Sequence, residues 1–184
     1  LVVVTNIQKR NIDKDYLTGA FNRQTLDRVL QSRIDSAGSR GTFSAILLDI
    51  DDFKSINDRY GHYEGDVALI TAVRALRDAV SRRDLIARYG GDAFCVLLDT
   101  DSPAVMNATC KRIRNRIEDL TRDWKKPYII RFSIGAAVYQ PTPGNDSAAF
   151  FKQIDRSMYE EKRAHANSQP EDALSDGALA CPQP

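Results

Sequence analysis

The chain has 184 residues, 42% hydrophobic and 28% charged, a balance that suits one soluble globular domain with its own core. Its formal net charge of +1 directs it to neither nucleic acid nor an anionic membrane, so any phosphate affinity must come from local placement. No run approaches the roughly 18 apolar residues of a membrane helix, and three widely spaced cysteines, Cys95, Cys110 and Cys181, argue against a disulfide framework or zinc site.

Cys95 and Cys110 sit in apolar patterns and read as buried free thiols, which fits a reducing cytoplasm, whether or not the domain belongs to a membrane-anchored protein. Residues 1–14 read as a junction from an upstream domain: a short apolar start, LVVV, then a polar stretch. The chain begins without methionine and reads as a fragment of something longer. In DYLTGAFNR, 15–23, Thr18-Gly19 carries turn chemistry and Asn22 is placed to cap a helix with Leu26, Leu30 and Ile34 on one face. SAGSRG, 36–41, reads as a loop.

TFSAILLDI, 42–50, predicts a strand buried on both faces and ending in carboxylates. The polar stretch 51–66, punctuated by glycine, reads as loop with at most one helical turn, followed by a helix with Leu69, Val73, Leu76 and Val80 on one face. Residues 84–99 predict strand, tight Gly90-Gly91 turn and strand. A helix from about Pro103 to Leu120 carries Met106, Cys110, Ile113 and Ile117. PYIIRFSIGAAVYQ, 127–140, predicts a long strand, and a last helix, capped by Ser147 or Asp146, carries Phe151, Ile154 and Met158. Beyond about His165 the pattern stops, and 168–184 reads as flexible tail or linker. No internal repeat is visible. The order implies an α/β (α+β) domain, a largely antiparallel sheet covered by helices.

Asp49 ends the buried strand, Asp51 and Asp52 follow it, and the hairpin turn offers Asp92. Taken singly, acidic residues at strand ends are commonly just solvated, and a Gly-Gly turn is just a hairpin. If the strands are neighbours, Asp49 and Asp92 converge, and two carboxylates with a backbone carbonyl and a phosphate make an oxygen-only magnesium site. Glycines at 90 and 91 allow a backbone to lie close to phosphate oxygens.

Five ordered stretches, DYLTGAFNR, DIDDFKSINDRYGHYEGD, RYGGDAF, SIGAAV and DRSMYEEK, resemble the GGDEF family, the diguanylate cyclases, over roughly 13–167. The resemblance implies a palm-like domain related to adenylyl cyclases. It also implies a reaction in which two GTP-loaded domains face each other, each 3′-hydroxyl attacks the other GTP's α-phosphate, and cyclic di-GMP and pyrophosphate form. Carried over by position, it implies Mg2+ (or Mn2+) on Asp49, the carbonyl of Ile50 and Asp92, with Asp92 also at the position credited with activating the hydroxyl. It implies guanine contacts from Asn57 and Asp66, whose oxygens accept from the guanine amide and amine. Phosphate contacts would fall to Phe53, Lys54, Gly90, Gly91 and Lys162. Partners implied are GTP, a second copy of the domain, an upstream sensor and a downstream phosphodiesterase domain; nucleic acid is not among them.

Three positions depart from the family pattern. Ala93 stands where the pattern has a metal-binding glutamate, a loss that costs about 2.7–4 kcal/mol of barrier where one positioned polar group is removed from an active site. Ala166 stands where the pattern has a phosphate-binding arginine; neighbouring Arg163 would point elsewhere on a helix. Asp84 of the product-inhibition motif is in place, but its arginine position is Ser81, so that site is expected to be absent. The departures favour a domain that binds GTP and magnesium but is catalytically impaired. Two alternatives remain: an active cyclase, slow or with Ala93 introduced, and a dimerisation scaffold without ligand.

Overall fold

The computed structural model describes residues 13–37 and 43–167. The readings of the N-terminal junction, of most of the 36–41 loop, of the 168–184 tail and of Cys181 therefore lie outside the described residues. Within them the order is α1 (Arg23–Ser36), β1 (Ser44–Ile50), α2 (Phe53–Tyr60), α3 (His62–Ala79), β2 (Leu85–Arg88), β3 (Ala93–Leu98), α4 (Pro103–Thr121), β4 (Phe132–Val138) and α5 (Ser147–Asn167). The strands form one sheet in the order β2-β3-β1-β4, and β1 pairs antiparallel with both β3 and β4. The expected antiparallel sheet covered by helices is the observed fold.

Strand alternation sorts the core into two layers. Ile46, Leu48 and Ile50 join Phe94 and Val96 under α3 and α4. Ala45 and Leu47 join Cys95 and Leu97 under α1 and α5. A central strand buried on both faces explains the unbroken apolar run of β1. Cys95 and Cys110 are buried free thiols, and burial pushes both thiols' pKa values up. No helix among the described residues is long and apolar enough to cross a membrane.

Caps match the sequence pattern at α1 and α5. Thr25 donates its N–H to the Asn22 side chain at 2.9 Å, and Ala149 donates to Asp146 at 2.9 Å, which selects Asp146 over Ser147. Two segments differ from expectation. Residues 53–60 form a full helix, and α3 begins at His62, not after Asp66. Gly61, at φ +86, separates the two and donates to the Asn57 carbonyl at 2.9 Å. Packing of Ile56 and Phe53 against the core holds this otherwise polar helix. The strand expected over 127–140 is confined to Phe132–Val138, because β1 ends opposite it, with Ile50 across from Phe132. The segment before it still sends Tyr128 and Ile130 into the core.

Gly135, in the middle of β4, is where α5 presses on the sheet. A Cβ there would meet the Ile154 carbonyl and come within 2.7 Å of the Met158 nitrogen. Backbone cannot yield as a flexible side chain can. Gly135→Ala is expected to lower stability by about 1–3 kcal/mol, read as a lower urea midpoint at unchanged m-value.

Candidate nucleotide and metal site

Register builds the site. Asp49 lies opposite Ala93 of β3 and opposite Ser133 of β4, on the sheet face that α5 covers. One residue before Ala93, Asp92 occupies the turn, and its carbonyl accepts the Ile50 N–H at 3.3 Å. The end of β1 and the hairpin turn are thereby tied together, with Asp49, Ile50 and Asp92 side by side.

Burial and then the Asp49 carboxylate push the Asp92 pKa above its ordinary value, against the pull of Lys162 and Arg88. Lys162, from α5, donates to Asp49 at 2.5 Å. Burial works against the lysine's charge, but the Asp49 hydrogen bond and the Asp49, Asp92 and Asp51 carboxylates outweigh it and raise its pKa.

The hairpin is braced from the N-terminal turn. Arg88 reaches Asp15 at 3.2 Å and donates to the Gly91 carbonyl at 2.6 Å. Thr18 donates both its N–H and its hydroxyl to Asp15. Burial would raise the Asp15 pKa; the Thr18 and Arg88 contacts overcome it and lower the value. Gly90 and Gly91 do not have positive φ, and a Cβ at Gly91 would meet nothing within 4 Å. Neither glycine is required by the fold around it; what both leave is open space over the turn.

Asn57 and Asp66 flank the start of α3. A Cβ on Gly65 would collide with the Asn57 side-chain oxygen, so glycine at 65 holds the amide close against α3. Neither the Asn57 amide nor the exposed Asp66 carboxylate makes a side-chain hydrogen bond to a described residue. Asp52, in the left-handed region at φ +54, turns the chain from β1 into α2, whose first-turn amides, Phe53 and Lys54 among them, lack intrahelical acceptors.

Other expected residues fall elsewhere. Asp84 accepts the backbone N–H groups of Ser81 at 2.8 Å and Asp99 at 3.0 Å, a structural tie between the turn after α3 and the end of β3. Arg163 is exposed. A network that sequence reasoning missed lies beside Lys162: His165 is 2.9 Å from Asp51, Ser133 donates to Asp51 at 2.5 Å, and Arg114 binds Glu161 at 2.7 Å. Ser133 lay within a matched stretch, but nothing in the sequence placed His165 near Asp51.

A family model described as "Diguanylate cyclase, GGDEF domain" matches residues 12–168.

The chain belongs to the GGDEF family.

It is 33% identical over 164 residues to the diguanylate cyclase DosC of Escherichia coli, covering 88% of this chain and 35% of that protein. It is 34% identical over 149 residues to the bifunctional diguanylate cyclase/cyclic di-GMP phosphodiesterase MucR of Pseudomonas aeruginosa, covering 80% of this chain and 22% of that protein. The chain thus spans about a third or less of these curated relatives. The fold matches the coiled coil and GGDEF domain of DgcB from Caulobacter crescentus with a TM-score of 0.80 at 24% identity, over 89% of this chain and 87% of that one.

The GGDEF cyclase family implies a divalent metal, and the donor chemistry here fits one. Asp49 and Asp92 are two partly buried carboxylates whose mutual repulsion a cation relieves, and the Ile50 N–H ties the strand end to the Asp92 carbonyl. No cluster of three or more acidic, histidine or cysteine side chains suited to a metal occurs among the described residues.

Because folded Asp92 holds its proton more tightly than an unfolded aspartate, stability falls as pH rises from the ordinary value of 3.8 through the raised folded value. Asp92→Asn is therefore expected to stabilise the metal-free protein at neutral pH, by less than about 1 kcal/mol because solvent screens a half-exposed group. The gain should vanish as pH falls below 3.8, as thermal melts at several pH values will show.

Proposed function

We propose that this domain binds GTP with a divalent cation and is impaired in condensing it to cyclic di-GMP. One observation carries the reading: Asp49 and Asp92 converge beside Lys162, while the residue directly across from Asp49 is Ala93. In this reading Asp49, Asp92 and the Ile50 carbonyl hold magnesium or manganese, which supplies charge neutralisation at the phosphates when bound. Asn57 and Asp66, whose side-chain oxygens make no hydrogen bond to a described residue, accept from the guanine edge. Gly90 and Gly91 leave room for phosphate, and Lys162, Phe53 and Lys54 supply charge and amide donors to it.

Ala93 contributes no oxygen on the face where Asp49 stands. A water can take a ligand's place in space but not its negative charge. Phosphoryl transfer depends on positioning and charge neutralisation, so the loss falls on turnover more than on nucleotide binding. Asp84, with both oxygens engaged by backbone, fits the expected lack of the product-inhibition site.

An active cyclase is the second reading, favoured by relatives named as diguanylate cyclases. The GGDEF domain of DgcB, 27% identical to this chain, was solved in complex with c-di-GMP, which supports a guanine nucleotide as ligand here. Partners beyond the nucleotide follow the same logic: a second copy for condensation, an upstream sensor, and a phosphodiesterase domain of the kind named in MucR.

Incubation with GTP and magnesium, with nucleotides resolved by chromatography, separates the readings. Cyclic di-GMP is expected to form roughly a hundred- to a thousand-fold more slowly in the unaltered chain than in Ala93→Glu. Equal rates would overturn the impaired reading. Separately, saturating GTP with magnesium should stabilise the unaltered chain, by about 2.7 kcal/mol at a hundred times its dissociation constant. Asn57→Ala should abolish most of that gain; no stabilisation at all would leave the scaffold reading.

A further inference from the structure

A cavity of about 740 Å³ lies between α2, α4, the segment 127–132 and the last turns of α5. Asn57, Asp66, Asp49 and Asp92, proposed to hold guanine and metal, do not line it, whereas Lys162, proposed to reach the phosphates, does. Its volume is that of a small-molecule site. Apolar groups contribute to the lining through the buried Ile56, Ile117, Ile130 and Phe132. Tyr60 and Tyr128 also line it, with rings stacked at 5.3 Å and the Tyr60 hydroxyl donating to the Pro127 carbonyl at 3.1 Å.

Charge in the lining is unevenly satisfied. Arg114 is bound to Glu161 and Lys162 to Asp49. Asp51 is held by Ser133 and His165, and Asp52 also has a partner. Arg59 and Arg131 are exposed, line the cavity, and make no ion pair or side-chain hydrogen bond to a described residue. Against them stands Glu118, which makes no ion pair with a described residue. Two uncommitted guanidinium forks suit a phosphate, and aromatic faces beside aliphatic surface suit a flat ring.

We propose that this cavity binds a small phosphorylated ring compound, at a site that adjoins that of the GTP proposed above and shares Lys162 with it. Its lining includes Lys162, whose ammonium also holds Asp49, so occupancy is transmitted to the carboxylate pair by the lysine they share. The inference stands on the cavity and its arginines and does not depend on whether the domain turns GTP over.

Phenyl phosphate is the probe. The chain is titrated with it, and binding is followed by calorimetry and by backbone amide NMR shifts. Saturable binding is expected, with shifts centred on 127–132 and on Arg59. Inorganic phosphate and phenol should each bind about tenfold or more weakly, because each carries only half of the recognised chemistry. The double variant Arg59→Ala/Arg131→Ala should weaken phenyl phosphate by about tenfold or more. Arg59→Lys/Arg131→Lys should recover only part of that, since a point charge replaces a fork. Both arginines are exposed, so the variants should melt with the parent, and Asn57→Ala should bind the probe unchanged. The proposal is overturned if phenyl phosphate does not saturate or the double alanine variant binds it as the parent does. It is equally overturned if inorganic phosphate alone binds as well, or if the shifts gather around Asn57 and Asp66.

Discussion

Two like charges held together at the end of a buried strand are the constraint around which this domain is arranged. The antiparallel register of β1 with β3 sets Asp49 beside the turn that carries Asp92, and the Ile50 N–H fastens strand end to turn. Burial, and after it the repulsion from Asp49, raises the Asp92 pKa. Lys162 offsets it from the covering helix, and a divalent ion would offset it further. The fold tolerates such a pair because hydrophobic layers on both faces of β1 fix the strand independently of the charges at its end.

A second contact chain keeps the hairpin from relaxing away from that pair. Asp15 receives Thr18 and Arg88, and Arg88 in turn binds the Gly91 carbonyl. A residue from the N-terminal turn thus sets the position of a turn more than seventy residues later. Since the glycines in that turn are neither left-handed nor crowded, the brace, rather than backbone strain, gives the turn its shape.

On the α5 side, the polar groups form a graded series. Lys162 serves Asp49, His165 and Ser133 serve Asp51, and Arg114 steadies Glu161 one turn from His165. This series borders the cavity whose two uncommitted arginines suggest a second anionic ligand. The chain belongs to the GGDEF family; the cavity chemistry is read from its own residues.

The sequence by itself determined the strand-and-helix order apart from α2, the cap at Asn22, the buried Cys95 and Cys110 and the family. Each rests on local pattern: unbroken apolar runs, four-residue spacing, short ordered motifs. It also singled out Asp49, Asp92, Asn57, Asp66 and Lys162 as site residues, and the structure brings Asp49, Asp92 and Lys162 together. It missed the helix over 53–60, because polar residues there are held by burial of Ile56 and Phe53 rather than by propensity. It overextended β4, because a strand ends where its partner ends and not where its apolar run ends. Only the tertiary structure decided that Asp84 ties backbone, that His165 meets Asp51 and that Arg59 and Arg131 share a cavity. Those contacts join residues far apart in the chain, and no periodicity within one segment encodes which distant segment will face it.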